Sequence, residues 1–206
     1  TGVLSISTEL HQVRTDLPVT ALPSPVNFVL PAGGGLAYGD FTLDERSRKY
    51  LLAHLPELTD PVARGAAWTT LWEEMLDGRA QPQDVMNLAL RALPMEDTEQ
   101  DTQLILHYAA AAFWKFLMEP ARNAVAAAFE QSLRSGIDRA RSSSLKAAYF
   151  STFRSIVTTA SGVAFLERVW RRQEKIPGLI LAETDESAMA LDLAVRSVPT
   201  AAAILE

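Results

Sequence analysis

The sequence predicts a mainly α protein: an α/α superhelical, HEAT/ARM-like domain over residues 44–206, preceded by a small antiparallel β unit over residues 1–43. Three observations predict it. From Asp44 onward, apolar side chains recur three and four residues apart, the spacing that gathers them on one side of a helix. Before that point they alternate with period two, between prolines that keep a chain out of central strands. The helical stretches run about 12–20 residues with short links, which suits helix pairs stacked into a superhelix. No repeat of fixed period or signature accompanies them.

The β portion opens with alternation over residues 3–7. Val13, Leu17, Val19 and Leu22 continue it sparsely around Pro18, Pro23 and Pro25. A run from Val26 to Pro31 then meets a turn at Gly33, Gly34 and Gly35, and a second run follows over residues 36–44. A complete sandwich has about seven strands, so this unit reads as the end of one.

The helices follow. Residues 44–55 place Tyr50, Leu51, Ala53 and Leu55 around one side. Asp60 is a suitable cap and Pro61 a suitable first residue for the next helix, with Gly78 at its far end. Residues 81–93 carry Val85, Leu88, Ala89 and Ala92 at helical spacing, stopped by Pro94. A long helix is expected from Thr98 to about Met118, and another from Pro120 to near Gly136. Ser142, Ser143 and Ser144 precede a helix over residues 145–159. Helices over 161–173 and 185–198 complete the set, and Pro199 opens a last fragment.

Composition narrows the function classes. A net charge of −6 argues against a polyanionic partner such as nucleic acid. The absence of cysteine rules out disulfides and thiolate metal sites and suits a reducing compartment, so the cytoplasm is favoured. No apolar run approaches the ~18 residues that span a bilayer, which argues against a membrane partner. The histidines are His11, His54 and His107, and none has a second His four residues on to share a metal. Gly33–Gly35 lacks the spacing and the Lys-Ser/Thr of a phosphate loop and reads as a plain turn. Glu73 and Glu74 point to different helix faces, and Asp97, Glu99 and Asp101 sit at a helix start, so both groups are expected to be solvated. No catalytic grouping emerges. The aromatics Trp68, Trp72, Phe113, Trp114, Phe116, Phe150, Phe153, Phe165 and Trp170 are expected in the core. Arg134, Arg139, Arg141 and Lys146 form one basic stretch. Arg168, Arg171, Arg172 and Lys175 form a basic stripe if the helix runs through Lys175, expected as a solvated face or a set of internal ion pairs.

One order of elements is distinctive. The run V-N-F-V-L-P, the glycine turn, and the run L-A-Y-G-D-F-T-L-D lead into D-P-V-A-R-G-A-A-W-T-T-L-W-E-E-M-L from Asp60. This order resembles the junction between the small β-sandwich and the C-terminal helical domain of zinc aminopeptidases of the aminopeptidase N family. A weaker echo, L-A-E-T-D-E-S-A-M-A-L-D-L-A, lies at residues 181–194. Tyr38 is followed by Gly39, which is similar to bacterial members; the eukaryotic branch usually has Arg there. The start at Thr1 without Met, and the uncapped run over residues 201–206, are read as the ends of a piece.

The resemblance implies a non-catalytic domain of a larger hydrolase. In the family, zinc sits on H-E-x-x-H plus a downstream Glu, and the substrate amine on a G-x-M-E-N strand, both upstream of the matching segment. It therefore implies no cofactor in this chain and zinc in the parent. The implied partners are the upstream catalytic and β-sandwich domains of the same polypeptide, and the peptide substrate. The helical domain would form a bowl over the zinc site, facing the free carboxylate of a bound peptide. Arg suits that carboxylate because its planar fork matches it. Arg154 is the first candidate, lying among Phe150, Phe153, Ile156 and Val157, with Arg168, Arg171 and Arg172 next. An internal salt bridge is the competing reading for Arg154. The alternative for the whole chain is a free-standing helical-repeat scaffold that binds another protein.

Overall fold

Asp44, Asp60, Ser142 and Thr159 are each followed by a helix whose first free N–H groups they accept, at 3.0–3.1 Å. The computed structural model describes residues 26–35 and 39–196. Within them run α1 (Glu45–His54), α2 (Pro61–Leu76), α3 (Pro82–Ala92), α4 (Glu99–Ala111), α5 (Glu119–Arg139), α6 (Ser143–Ile156), α7 (Ala160–Trp170) and α8 (Glu183–Val195). Leu55–Glu57 adds a 3₁₀ turn after α1. The described residues are thus mainly α, and no strand occurs among them. Residues 26–30 are irregular rather than the expected strand, and residues 31–34 turn as expected. The rest of the expected β unit, residues 1–25 and 36–38, and the fragment after Pro199 lie outside the described residues.

The helices pack in two rows. α1, α3 and α5 contact one another in sequence, and α2, α4, α6 and α8 do the same, while α7 lies against α8. The core between them holds Trp68 and Leu71 of α2, Phe129 of α5 and Phe153 of α6, all fully buried. Each such side chain contributes roughly 1.5–3 kcal/mol of apolar burial. None of the described helices is long and apolar enough to cross a membrane.

Several helix ends differ from the sequence expectation; α6 and α8 stop at Ile156 and Val195, short of the expected residues 159 and 198. α2 stops at Leu76, and Gly78 just beyond it takes the left-handed conformation (φ 75°) expected of a helix-ending glycine. Gly136 does not end α5. The helix continues to Arg139, and the glycine is buried where the Tyr149 ring of α6 lies. A methyl group at Gly136 would overlap that ring, so the glycine serves close helix approach rather than chain reversal. The helix expected to run to Met118 stops at Ala111 and loosens into a π-helical turn, Ala112–Phe116, where Leu117 N donates to Ala112 O at 2.9 Å. Finally, α7 stops at Trp170, and Arg172 takes φ 59°, so the helix does not reach Lys175.

Gly162 has the same role as Gly136. The buried Glu130 of α5 accepts from Thr158 N and Thr159 N at 2.8 Å and lies where a Gly162 methyl would go. We predict that Gly136→Ala lowers stability by about 1–3 kcal/mol through overpacking. Thermal melting of the variant checks this; an unchanged melt would show that the α5–α6 crossing has room for the methyl.

Candidate functional site

Arg154 lies in the last turn of α6, and its Nη1 donates to Asp192 Oδ2 of α8 at 2.8 Å. The internal salt bridge expected as its competing role is therefore present. Burial pushes the Asp192 carboxyl above its ordinary value, although Arg154 and Arg196 both pull it down. Arg196 donates to the carbonyls of Ser155 (3.0 Å), Arg154 (3.2 Å) and Val157, closing the C-terminal end of α6. Trp114 Nε1 donates to the same Ser155 oxygen at 3.0 Å. Arg154 thus belongs to a node that fixes α6 against α8.

Arg168, Arg171 and Arg172 do not form a stripe, because α7 ends before them or with them in its last turn. Each has its own carboxylate: Glu174 at 2.8 Å for Arg168, Glu167 at 3.0 Å for Arg171, and Glu186 at 2.8 Å for Arg172. The reading as internal ion pairs describes them. His54 meets Glu57 at 3.1 Å, His107 lies beside the Tyr108 ring, and His11 is outside the described residues. No group of three or more His, Cys, Asp or Glu placed to hold a metal occurs among the described residues.

The carboxylates expected to be solvated behave differently from one another. Glu73 stays on the outer side of α2 and enters no ion pair among the described residues. Glu74 is fully buried: it accepts from Leu43 N (3.1 Å), Arg79 Nε (2.8 Å) and Arg48 Nη1 (2.8 Å). Adjacency on a helix gives them different faces, as expected, but the face of Glu74 is the core, so the expectation that both are solvated fails for Glu74. At the other end of α2, buried Arg64 donates to both oxygens of Glu96 (3.0 and 2.8 Å), to Asp97 (2.7 Å) and to Leu58 O (2.9 Å). Burial works against ionisation of Glu96, yet the hydrogen bonds from Arg64 and Thr98 outweigh it, and its carboxyl lies below the ordinary value. Asp101 goes the other way. Burial, then the like charge of Glu96, pushes it up, and its Oδ2 is buried without a hydrogen-bond partner.

Between these two ionic ends, α2 presents an outer stripe at spacings of three and four: Val62, Gly65, Ala66, Thr69, Glu73 and Leu76. Val62 and Leu76 are exposed apolar ends, 53% and 46% accessible. Small residues between them leave two clefts that share Ala66 and Thr69. One, of about 650 Å³, lies between α2 and the segment carrying Ala32, Gly35 and Phe41, with Asp40, Glu73 and Asp77 also on its wall. The other, of about 620 Å³, lies between α2 and the start of α4, with Thr98, Asp101 and Leu104 on its wall. A methyl at Gly65 would sit 2.9 Å from Asp101 Oδ1 and would press that carboxylate aside.

An aromatic wall continues the face. Trp72 stacks on Tyr108 (centroids 4.5 Å) and meets the edge of Phe116 (5.7 Å). Trp68, Phe113, Phe150, Phe153 and Phe165 are core, as expected, but Trp114 and Phe116 are exposed because the π turn rotates them outward. The spacing of Val62, Gly65, Ala66 and Thr69 was the available sequence signal for this face. Small residues at helical spacing read equally well as a packed face, so the spacing alone does not mark this one as open. No known protein-family model matches the chain, and no curated protein matches it.

Two outcomes are expected. Arg64→Ala should cost about 3–5 kcal/mol, because Glu96 would stay buried without its partner; denaturant titration measures it. Asp101→Asn should stabilise the protein at pH 7 by about 0.2–1 kcal/mol, the scale of a partly screened charge. The sign follows from the raised folded pKa. The penalty is full above that value and is relieved as pH falls through it, so the advantage of Asn should shrink in acid. Glu96 has the opposite sign: its contribution is present above its ordinary value of 4.5 and fades below it. Melts from pH 7 down to about pH 3 separate the two trends.

Proposed function

We propose that this chain is the non-catalytic C-terminal helical domain of a zinc metallo-aminopeptidase of the aminopeptidase N type, with the end of the preceding β-sandwich. It covers the active-site cleft of its parent and shapes peptide access and binding. The observation that carries this reading is the pattern D-P-x-x-R-x-x-x-W-x-x-L at residues 60–71. Each of its residues has a separate duty. Asp60 caps α2, Pro61 opens it, Arg64 makes the buried ion pair, and Trp68 and Leu71 are fully buried. A resemblance placed on these five positions is a resemblance of cap, ion pair and core face, which supports a common helical domain. The two rows of helices support the HEAT-like superhelix.

The zinc, its ligands and the general base belong, in this reading, to the upstream part of the polypeptide. The partners are that catalytic domain, the β-sandwich and the peptide. Arg154 commits Nη1 to Asp192, so a peptide carboxylate would share an arginine that is already partly neutralised. The open face of α2 favours the second reading, a free-standing scaffold for another protein. An H-E-x-x-H sequence encoded in frame upstream of Thr1 decides for the first.

The chain alone should turn over no aminoacyl nitroanilide. In the full-length enzyme, Arg154→Ala should lower kcat/KM on tri- and tetrapeptides by about tenfold, the low end for one charge-assisted hydrogen bond. Carboxylate-free aminoacyl anilides should be nearly unaffected. Equal losses on both, with a lower Tm, would reduce Arg154 to its bond with Asp192.

A further inference from the structure

We infer that the end of α6 against α8 is a carboxylate site, in which Arg154 offers the fork of its Nε and Nη2, Asp192 holds that fork from its other side, and the ligand is the carboxylate end of a short apolar chain. This deepens the role given to Arg154 in the aminopeptidase reading, and it rests on that reading only for the parent's peptide as the natural ligand.

The fork comes first. A guanidinium pairs with a carboxylate through two parallel N–H groups. Arg64 shows this edge in use, with Nε and Nη2 donating to the two oxygens of Glu96 at 3.0 and 2.8 Å. Arg154 spends only Nη1, on Asp192 Oδ2 at 2.8 Å. Its Nε and Nη2 donate to nothing among the described residues. Neither is a buried atom left unpaired, so both reach the surface. The side chain as a whole is only 18% accessible. Arg46, on the exposed side of α1, is the contrast, since no partner among the described residues holds it. The edge of Arg154 is fixed before a ligand arrives, so less side-chain freedom is lost on binding.

Charge and surroundings then select the ligand. Arg196 is close enough to act on Arg154 as a like charge. Its own Nε, Nη1 and Nη2 are spent on the carbonyls of Val157, Asp192, Arg154 and Ser155. Asp192 serves both cations, with Oδ2 on Arg154 and Oδ1 at 3.7 Å from Arg196 Nη1. The next carboxylate, Glu130, acts on Arg196 and is already held by Thr158 N and Thr159 N. A single negative charge suits this balance. A dianion such as phosphate would be repelled by both carboxylates. Leu191 and Val195 lie one position before and three after Asp192, together on one flank of it along α8. They are 60% and 82% accessible, an apolar rim beside the carboxylate. The ligand that matches fork and rim is a chain end with an apolar side chain.

The test uses the whole chain and the NMR signal of the Arg154 Nε–H, assigned by its loss in Arg154→Lys. The probes are N-acetyl-alanyl-leucine, its C-terminal amide, acetate and phosphate, at matched ionic strength. The free acid should shift the Arg154 signal and saturate with a Kd of roughly 1–10 mM, the weak range expected of one surface contact. The amide should leave it unmoved, and acetate and phosphate should bind several-fold more weakly. The Nε–H of Arg46 reports non-specific contact and should not follow. Asp192→Asn keeps an acceptor for Nη1 and removes the competing charge, so it should tighten binding about two- to fivefold, the worth of one partly screened charge. A group that only held the fold would not tighten binding when changed. Arg154→Lys keeps the charge and loses the fork, and should weaken binding about fivefold or more, read at the Ser155 amide. Melting curves establish that both variants are folded. The inference is overturned if the free acid moves nothing at about 20 mM, or if the amide, acetate or phosphate matches it. A matching shift at Arg46 overturns it too, as does unchanged affinity in either variant. The site can fail in this way whether or not an H-E-x-x-H sequence lies upstream, so the two readings fail separately.

Discussion

The Arg64–Glu96 pair is the constraint on which the arrangement of the first four helices depends. Arg64 comes from α2, Glu96 from the link between α3 and α4, and the same guanidinium holds the carbonyl of Leu58 before α2. Three segments therefore meet on one buried cation. Removing two opposite charges from water costs several kcal/mol for each, and their attraction roughly repays it. The pair adds little net stability. Its effect is selective, since any packing that separates the two groups leaves a buried charge unpaired. Glu74 does the same at the far end of α2, where it joins Arg48 of α1, Arg79 and the backbone of Leu43.

Pinned at both ends, α2 keeps an outer side that the described residues leave partly exposed. Here the core side already holds Trp68, Leu71 and Met75, and the small residues make a concave surface. The π turn after α4 has a related effect. The extra residue in its ring turns Trp114 and Phe116 out of the core, while Phe113 remains inside. Trp114 then ties this exposed region back to the end of α6 through the Ser155 carbonyl.

The second half of the molecule relies on close approach. α5 and α6 cross where Gly136 faces Tyr149, and the link into α7 folds over the Glu130 carboxylate, against which Gly162 lies. These contacts, with Arg196 closing α6, set the position of α8 and hence of Asp192. Arg154 is oriented by that chain of packing.

Local chemistry was legible in the sequence. Asp44, Asp60 with Pro61, Gly78, Ser142 and the apolar spacing of α3 mark their helices because caps and periodicity act within a few residues. The aromatic core around Trp68, Phe113 and Phe153 followed from the same spacing. Gly136 misled because a glycine that ends a helix and one that admits a neighbour look alike until Tyr149 is placed against it. Glu74 and Glu73 were likewise indistinguishable, since periodicity assigns two faces but not which one meets Arg48 and Arg79. The basic stripe at Arg168–Lys175 depended on a helix that stops at Trp170. The clefts, the buried charge pairs and the partner of Arg154 were decided only by tertiary structure, because each joins residues far apart in the chain, and a single sequence carries no term for their distance.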